Sequence, residues 1–224
     1  MRTITDVFFD LDHTLWDFET NSALAFDVVL FKNQIDVDRA RFLDHYIPLN
    51  LKYWELYRTD SITQGQLRYG RLKDTFDALE MAVSDNLIHA LAEDYIDYLP
   101  RYNHLFEGAL DILDYLREDY RLHIITNGFH QIQEAKLKNS GIFHYFDTVT
   151  HSETAGVKKP NPLIFEHAMR SALTLPRASI LVGDCIEADV RGALNCGMDA
   201  IHFCEIPTPE IKTVSRLADL KNYL

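Results

Sequence analysis

Apolar positions follow two different rhythms along this chain. From Arg121 onward, the continuous apolar runs RLHIIT and SILVGD alternate with HQIQEAKLKNSG, NPLIFEHAMRSAL and IEADVRGALNCG, whose apolar residues recur every three or four positions. The runs predict buried strands and the periodic segments predict helices. Strands without polar alternation belong to parallel sheets covered on both faces, and DVFF near the start of the chain has the same character. Gly197 is placed to cap the last of these helices, and DAIHF follows as a further strand.

Between Phe18 and Tyr102 only the helical rhythm occurs: NSALAFDVVLFK, ARFLDHYIPLNLKYWELY, QLRYGRLKDTFDAL and DNLIHALAEDYIDYL. This stretch interrupts a β–α pattern that begins before it and resumes after it. The pattern therefore predicts an α/β core with a Rossmann-like parallel sheet, built from residues 1–17 and 103–224, carrying an inserted helical domain at residues 18–102. Pro48 is expected to kink or divide the second inserted helix, and DSITQG to supply a Ser or Thr cap for the third.

The chain of 224 residues, 47% hydrophobic, is long enough to bury a sizeable core. Its 34 acidic against 22 basic residues give a formal charge of −12, which repels nucleic acid and anionic membranes. An anionic substrate must then be held by a local positive group or a metal ion. Three cysteines form no disulfide framework, and ITDVFF begins its apolar run with neither a basic leader nor a membrane-length stretch. A reducing, cytoplasmic setting is expected.

Four polar clusters end predicted strands: Asp10 with Asp12, Thr126 with Asn127, Lys159 in a loop, and Asp184. In open α/β sheets the ligand crevice lies outside those ends. A single aspartate there is usually solvated surface, but several clusters ending apolar runs are not coincidental. Asp10 and Asp12 also raise each other's pKa, an electrostatic cost that marks a site. None of the ten histidines has the spacing of an HExxH zinc site, and no GxxxxGK phosphate loop occurs.

In order along the chain, DLDHT, ITNG, KKPNP and GDCIEAD resemble the four motifs of the haloacid dehalogenase superfamily, hydrolases with an aspartate nucleophile. The helical insert after the first motif looks like the family's C1-type cap. The resemblance implies a phosphoryl-aspartate formed on Asp10, with Mg²⁺ held by Asp10, the backbone carbonyl of Asp12 and Asp184. It implies Asp12 as general acid and base, and Thr126, Asn127 and Gly128 as holders of phosphoryl oxygens. Lys159, immediately before proline, is the implied catalytic cation, with Lys158 turned to solvent; Asp189 is the implied outer partner of the metal waters or of Lys159. His13 stands where many of the family's phosphatases have glycine, and reads as a local modifier.

Retention of Asp12 favours a phosphatase over a dehalogenase, because carbon–halogen cleavage leaves no alkoxide to protonate. DSITQGQLRYGRL and TNGFHQIQEAKLKNSGI look like the branch of small phosphatases acting on pyrimidine and non-canonical nucleoside 5′-monophosphates. Tyr53, Trp54, Tyr57, Gln64, Gln66, Arg68 and Arg71 of the insert are candidates to contact a base, although aromatic residues at helical spacing are more often core. A sugar phosphomutase, a sugar-phosphate phosphatase and a non-catalytic phospho-receiver or sensor are the alternatives. The expected partner is a small phosphorylated metabolite, with neither nucleic acid nor membrane, and the chain is expected to be a monomer or homodimer.

Overall fold

Four consecutive buried residues, Asp6–Phe9, form β1, the strand from which the sheet is built outward on both sides. The computed structural model of the chain describes residues 4–207 and 209–224. Within them, β2 (Arg121–Thr126), β3 (Thr148–His151), β4 (Ser179–Gly183), β5 (Asp199–Phe203) and β6 (Thr213–Val214) complete one six-stranded sheet, in the order β3-β2-β1-β4-β5-β6. Every pairing is parallel. Parallel neighbours need crossover helices, and these cover the sheet faces, so DVFF, LHIIT and SILVG are apolar on both sides.

Helices α1 (Phe18–Lys32), α2 (Arg39–Arg58), α3 (Gln64–Ala78) and α4 (Asp85–Tyr98) come first, followed by α5 (Ala109–Leu116), α6 (His130–Asn139), α7 (Ser152–Ala155), α8 (Pro162–Ser171) and α9 (Gly192–Asn195). Contacts divide the chain into two compact units: residues up to Phe18 with Asn103–Leu224, and Glu19–Tyr102. In the first, Phe8, Ile125 and Leu181 of the sheet pack with Ile164, Phe165 and Met169 of α8. In the second, Phe26, Phe42, Tyr46, Phe76 and Tyr95 are buried together with ring centroids 4.4–5.6 Å apart along successive contacts.

Two expectations need correction, and two strands were not foreseen. Of the two outcomes expected at Pro48, division does not occur: α2 runs through it over 20 residues, with Phe42 and Tyr46 before the proline and Asn50 after it all buried. The segment after β4 begins as a π-helical turn, Ile186–Arg191, before α9; Val190 N–H reaches Cys185 O five residues back at 3.3 Å. Strands β3 and β6 had no apolar run to announce them. The third inserted helix starts at a Thr63 cap, completed reciprocally by Gln66, and Gly197 takes the left-handed conformation of a helix C-terminus, with φ 79°.

Candidate active site

The sheet reverses its winding between β1 and β4, the switch point where ligand crevices form in doubly wound sheets. Asp10 leaves β1 still tied into the ladder, its N–H donating to Val182 O at 2.9 Å. The chain then folds tightly, with Leu11 O accepting the N–H groups of Thr14, Leu15 and Trp16. His13 occupies this turn at φ 62°, the left-handed region that favours glycine, at a cost on the order of 1 kcal/mol. The departure from glycine thus falls on the one residue of the turn with positive φ, and its ring lies against Phe18 at 4.9 Å.

Lys159 is fully buried and sets the electrostatics. Its Nζ donates to Asp10 Oδ1 at 2.6 Å and to Ile125 O at 2.7 Å, and lies 2.6 Å from Asp189 Oδ1. Burial pulls the lysine down, but the charges of Asp10 and Asp189 outweigh it and leave the ammonium above its ordinary value. Asp189 reaches inward from the π-helical turn, its Oδ2 accepting Cys185 N–H at 3.0 Å. Gly183 makes that approach feasible, since a Cβ there would stand 2.6 Å from the Asp189 carboxylate.

Asp10, Asp184 and Asp189 each bring a carboxylate oxygen within 4.8 Å of the others. Burial, with the charges of Asp189 and Asp184, pushes Asp10 well above the carboxylate range despite Lys159. Burial and the Asp189 charge push Asp184 up to about 7. Crowded carboxylates with raised pKa values, all hard oxygen donors without imidazole or thiolate, suit a hard divalent cation such as Mg²⁺. His202 Nε2 lies 2.8 Å from Asp184 O and fixes that main chain from β5.

The Asp12 carboxylate lies apart from this trio. Its Oδ1 is 2.5 Å from Lys136 Nζ and its Oδ2 accepts from Gln133 Nε2 at 2.8 Å. Lys136, buried at 2% exposure, also sits 4.1 Å above the Trp16 ring. Gln133 donates to Thr126 Oγ1 at 2.8 Å as well, and a Cβ at Gly128 would collide with it at 1.9 Å. Gly128 N–H donates to Thr126 Oγ1 at 3.1 Å. The Asn127 side chain braces Lys159: its Oδ1 accepts Lys159 N–H at 2.7 Å and its Nδ2 donates to Lys159 O at 3.0 Å. Lys158 is half-buried, in a turn where its carbonyl accepts Asn161 N–H.

Sequence reasoning missed Gln133, Lys136 and His202. The first two are spaced i, i+3 on α6, which was a readable signal of one helix face, although nothing in the sequence says what that face meets. Within the helical unit, several candidate base contacts have internal partners. Tyr53 donates to Asp74 at 2.9 Å, Gln66 completes the α3 cap, and Arg71 donates to Asn50 at 2.8 Å beneath the Tyr95 ring. Trp54, Tyr57, Gln64 and Arg68 are half-exposed.

Residues 6–197 match the family model of haloacid dehalogenase-like hydrolases. The chain is 33% identical over 196 residues to pyrimidine 5′-nucleotidase YjjG of Escherichia coli (strain K12), covering 86% of this chain and 82% of that one. It is 31% identical over 207 residues to a glyceraldehyde 3-phosphate phosphatase of Methanothermobacter thermautotrophicus, covering 87% and 83%. In fold it is similar to the putative hydrolase YfnB from Bacillus subtilis, solved bound to magnesium, with a TM-score of 0.88, 24% identity and 99% of both chains covered.

Proposed function

The chain belongs to the haloacid dehalogenase-like hydrolases, and from that premise we propose that it is a magnesium-dependent phosphomonoesterase acting on nucleoside 5′-monophosphates in the cytoplasm. The observation that carries this reading is the Lys159 clamp on Asp10 beside two further carboxylates. Asp10, Asp184 and the Asp12 carbonyl would hold Mg²⁺, with Lys159 pairing directly with both Asp10 and Asp189, and the ion would mask the negative charge of the phosphoryl group.

Lys159 fixes one Asp10 oxygen and leaves the other to attack phosphorus, forming a phosphoryl-aspartate as the phosphorus–oxygen bond to the alcohol breaks. Asp12 gives a proton to the departing alkoxide, then takes one from the water that hydrolyses the phosphoryl-aspartate. Gln133 and Lys136 hold the Asp12 carboxylate in one orientation between those transfers. Thr126 and the Gly128 N–H bind phosphoryl oxygens once substrate replaces their mutual hydrogen bond, and the Lys159 charge stabilises the transferring group.

The helical domain is assigned the choice of leaving group. A sugar-phosphate substrate is the second reading, favoured by the glyceraldehyde 3-phosphate phosphatase relative. Phosphate release from a panel of nucleotides and sugar phosphates with Mg²⁺ tests both. A clear preference for pyrimidine monophosphates supports the nucleotidase, preference for triose or hexose phosphates replaces it, and need for a bisphosphate primer would reveal a mutase. Tyr57→Ala and Arg68→Ala should reorder nucleotides while changing acetyl phosphate hydrolysis little. Uniform loss would reduce those residues to scaffold.

A further inference from the structure

A single side-chain amide touches two groups that act on different parts of the substrate. Gln133 on α6 is 1% exposed, and its Nε2 carries two N–H groups: one donates to Asp12 Oδ2 at 2.8 Å, the other to Thr126 Oγ1 at 2.8 Å. The carboxylate fixes which end of the amide is nitrogen, since the reverse orientation would set Oε1 against an oxygen of Asp12. Oε1 is then buried with no partner. An unsatisfied buried acceptor lowers stability and calls for an explanation in what the rest of the amide does.

Steadying Asp12 is not a sufficient explanation, because Lys136 already holds the other oxygen of that carboxylate. The second N–H matters as much. A hydroxyl has two lone pairs and one proton, and Thr126 Oγ1 accepts from both the Gln133 amide and the Gly128 N–H, the latter at 3.1 Å. With both lone pairs taken, the hydroxyl is left to act as a donor. Among the described residues it donates to no acceptor, so its proton is available to an oxygen that arrives with a ligand. Gly128 allows this arrangement, since a Cβ there would stand 1.9 Å from the Gln133 amide nitrogen.

We propose that Gln133 is a positioning residue that joins the proton-transferring carboxylate and the phosphoryl-binding hydroxyl into one unit, making Thr126 a donor and holding Asp12 at a fixed span from it. On the phosphomonoesterase reading, on which this rests, the two joined groups serve opposite sides of the breaking bond: Thr126 the phosphoryl group, Asp12 the departing alkoxide. When the Gly128 N–H turns to a phosphoryl oxygen, the Gln133 amide still orients Thr126. Gln133 neither gains nor loses a proton in this role. Its effect is purely geometric, and displacements of about 1 Å at reacting groups are worth about 10²-fold in rate.

Gln133→Met keeps the length of the side chain and removes both donors. Measuring kcat/KM with Mg²⁺ on a nucleoside monophosphate and on nitrophenyl phosphate separates the two arms, because only the alkyl leaving group needs the Asp12 proton. We expect a loss of about 10-fold on nitrophenyl phosphate, read through Thr126, and of about 100-fold on the nucleotide, read through both arms. The first loss should vanish in a Thr126→Val background, and the excess on the nucleotide in an Asp12→Asn background. Gln133→Leu, which removes the same donors with less bulk, should give the same pattern if methionine disturbs folding. Losses that persist undiminished in both backgrounds would make Gln133 scaffold, equal losses on the two substrates would confine it to Thr126, and unchanged kcat/KM would give it no role; each overturns the bridge. A wild type that hydrolyses neither substrate overturns the phosphomonoesterase reading and the bridge with it, whereas a failed cycle in an active wild type overturns the bridge alone.

Discussion

Asp6 and Asp10 bracket the same four-residue strand, both are almost wholly buried, and their surroundings treat them oppositely. Asp6 Oδ1 is met by Arg121 at 2.7 Å and His123 Nε2 at 3.0 Å, and its Oδ2 by the hydroxyls of Thr5 at 2.6 Å and Thr174 at 2.7 Å. Burial alone would push that carboxyl up, but these hydrogen bonds outweigh it and leave the group below its ordinary value. Asp10 has Lys159 on one oxygen and shares its space with two like charges, and stands well above. A buried carboxylate with every lone pair answered is part of the framework. One left short of partners holds free energy that a ligand can release, and such perturbed groups collect at functional sites.

Substitutions at the two aspartates should therefore fail in different ways. Asp10→Asn should reduce phosphatase turnover by roughly 10⁴-fold or more while the protein remains folded, because an amide of nearly the same shape is no nucleophile. Substantial residual turnover would dissolve the contrast. Asp12→Asn should lose roughly 10²–10⁴-fold on alkyl phosphates and less on nitrophenyl phosphate, whose leaving group needs no proton. Equal losses on both substrates would remove Asp12 from proton transfer.

The same contrast separates what the sequence reveals from what it hides. Asp10, Thr126 and Asp184 end long apolar runs, and Lys159 precedes a proline, so composition and order placed them before any fold was known. Asp6 carried no such mark, since the first residue of a strand is usually solvated, and it is the side chains of Thr5, Arg121, His123 and Thr174 that make it structural. Strand β3 was illegible for a related reason: TVTH is short, alternating and on the sheet edge, with nothing to distinguish it from a loop. Gln133 and Lys136 read as a hydrophilic helix face until tertiary packing turned that face toward Asp12. The π-helical turn is equally a product of context, since it forms where Asp189 must reach both Lys159 and Cys185 N–H.

Stability should move in opposite directions at the two ends of the sheet. Asp6→Asn weakens the pairing with Arg121 and turns one acceptor into a donor, which should destabilise by about 1–3 kcal/mol in denaturant titrations. Because the folded pKa of Asp6 lies below its ordinary 3.8, its contribution is present above 3.8 and is lost as pH falls through the folded value. Asp184 carries the reverse sign. Its folded value of about 7 lies above 3.8, so stability is intact below 3.8 and is lost as pH rises toward and through 7. In chelator at pH 7, Asp184→Asn should thus stabilise by about 1–3 kcal/mol, with the gain vanishing near pH 4. Destabilisation at pH 7 would mean that the trio is held by partners as complete as those of Asp6.

The smallest effect expected is the coupling between the two ends. Asp6 is registered against Ser179, and Asp184 lies five residues further along the chain leaving β4, about 16 Å at strand rise. The partners of Asp6 are Thr5, Arg121, His123 and Thr174, whereas Asp184 is influenced by Asp189, Lys159 and Asp12, so no side chain is shared. Sites so separated add to within about 0.3–0.5 kcal/mol. The stability of Asp6→Asn/Asp184→Asn in chelator at pH 7 should therefore equal the sum of the single changes within that margin, the loss at one end nearly cancelling the gain at the other. A coupling above about 1 kcal/mol would show that β1 and β4 transmit strain between framework and site, and the two aspartate environments would then have to be treated as a single electrostatic unit.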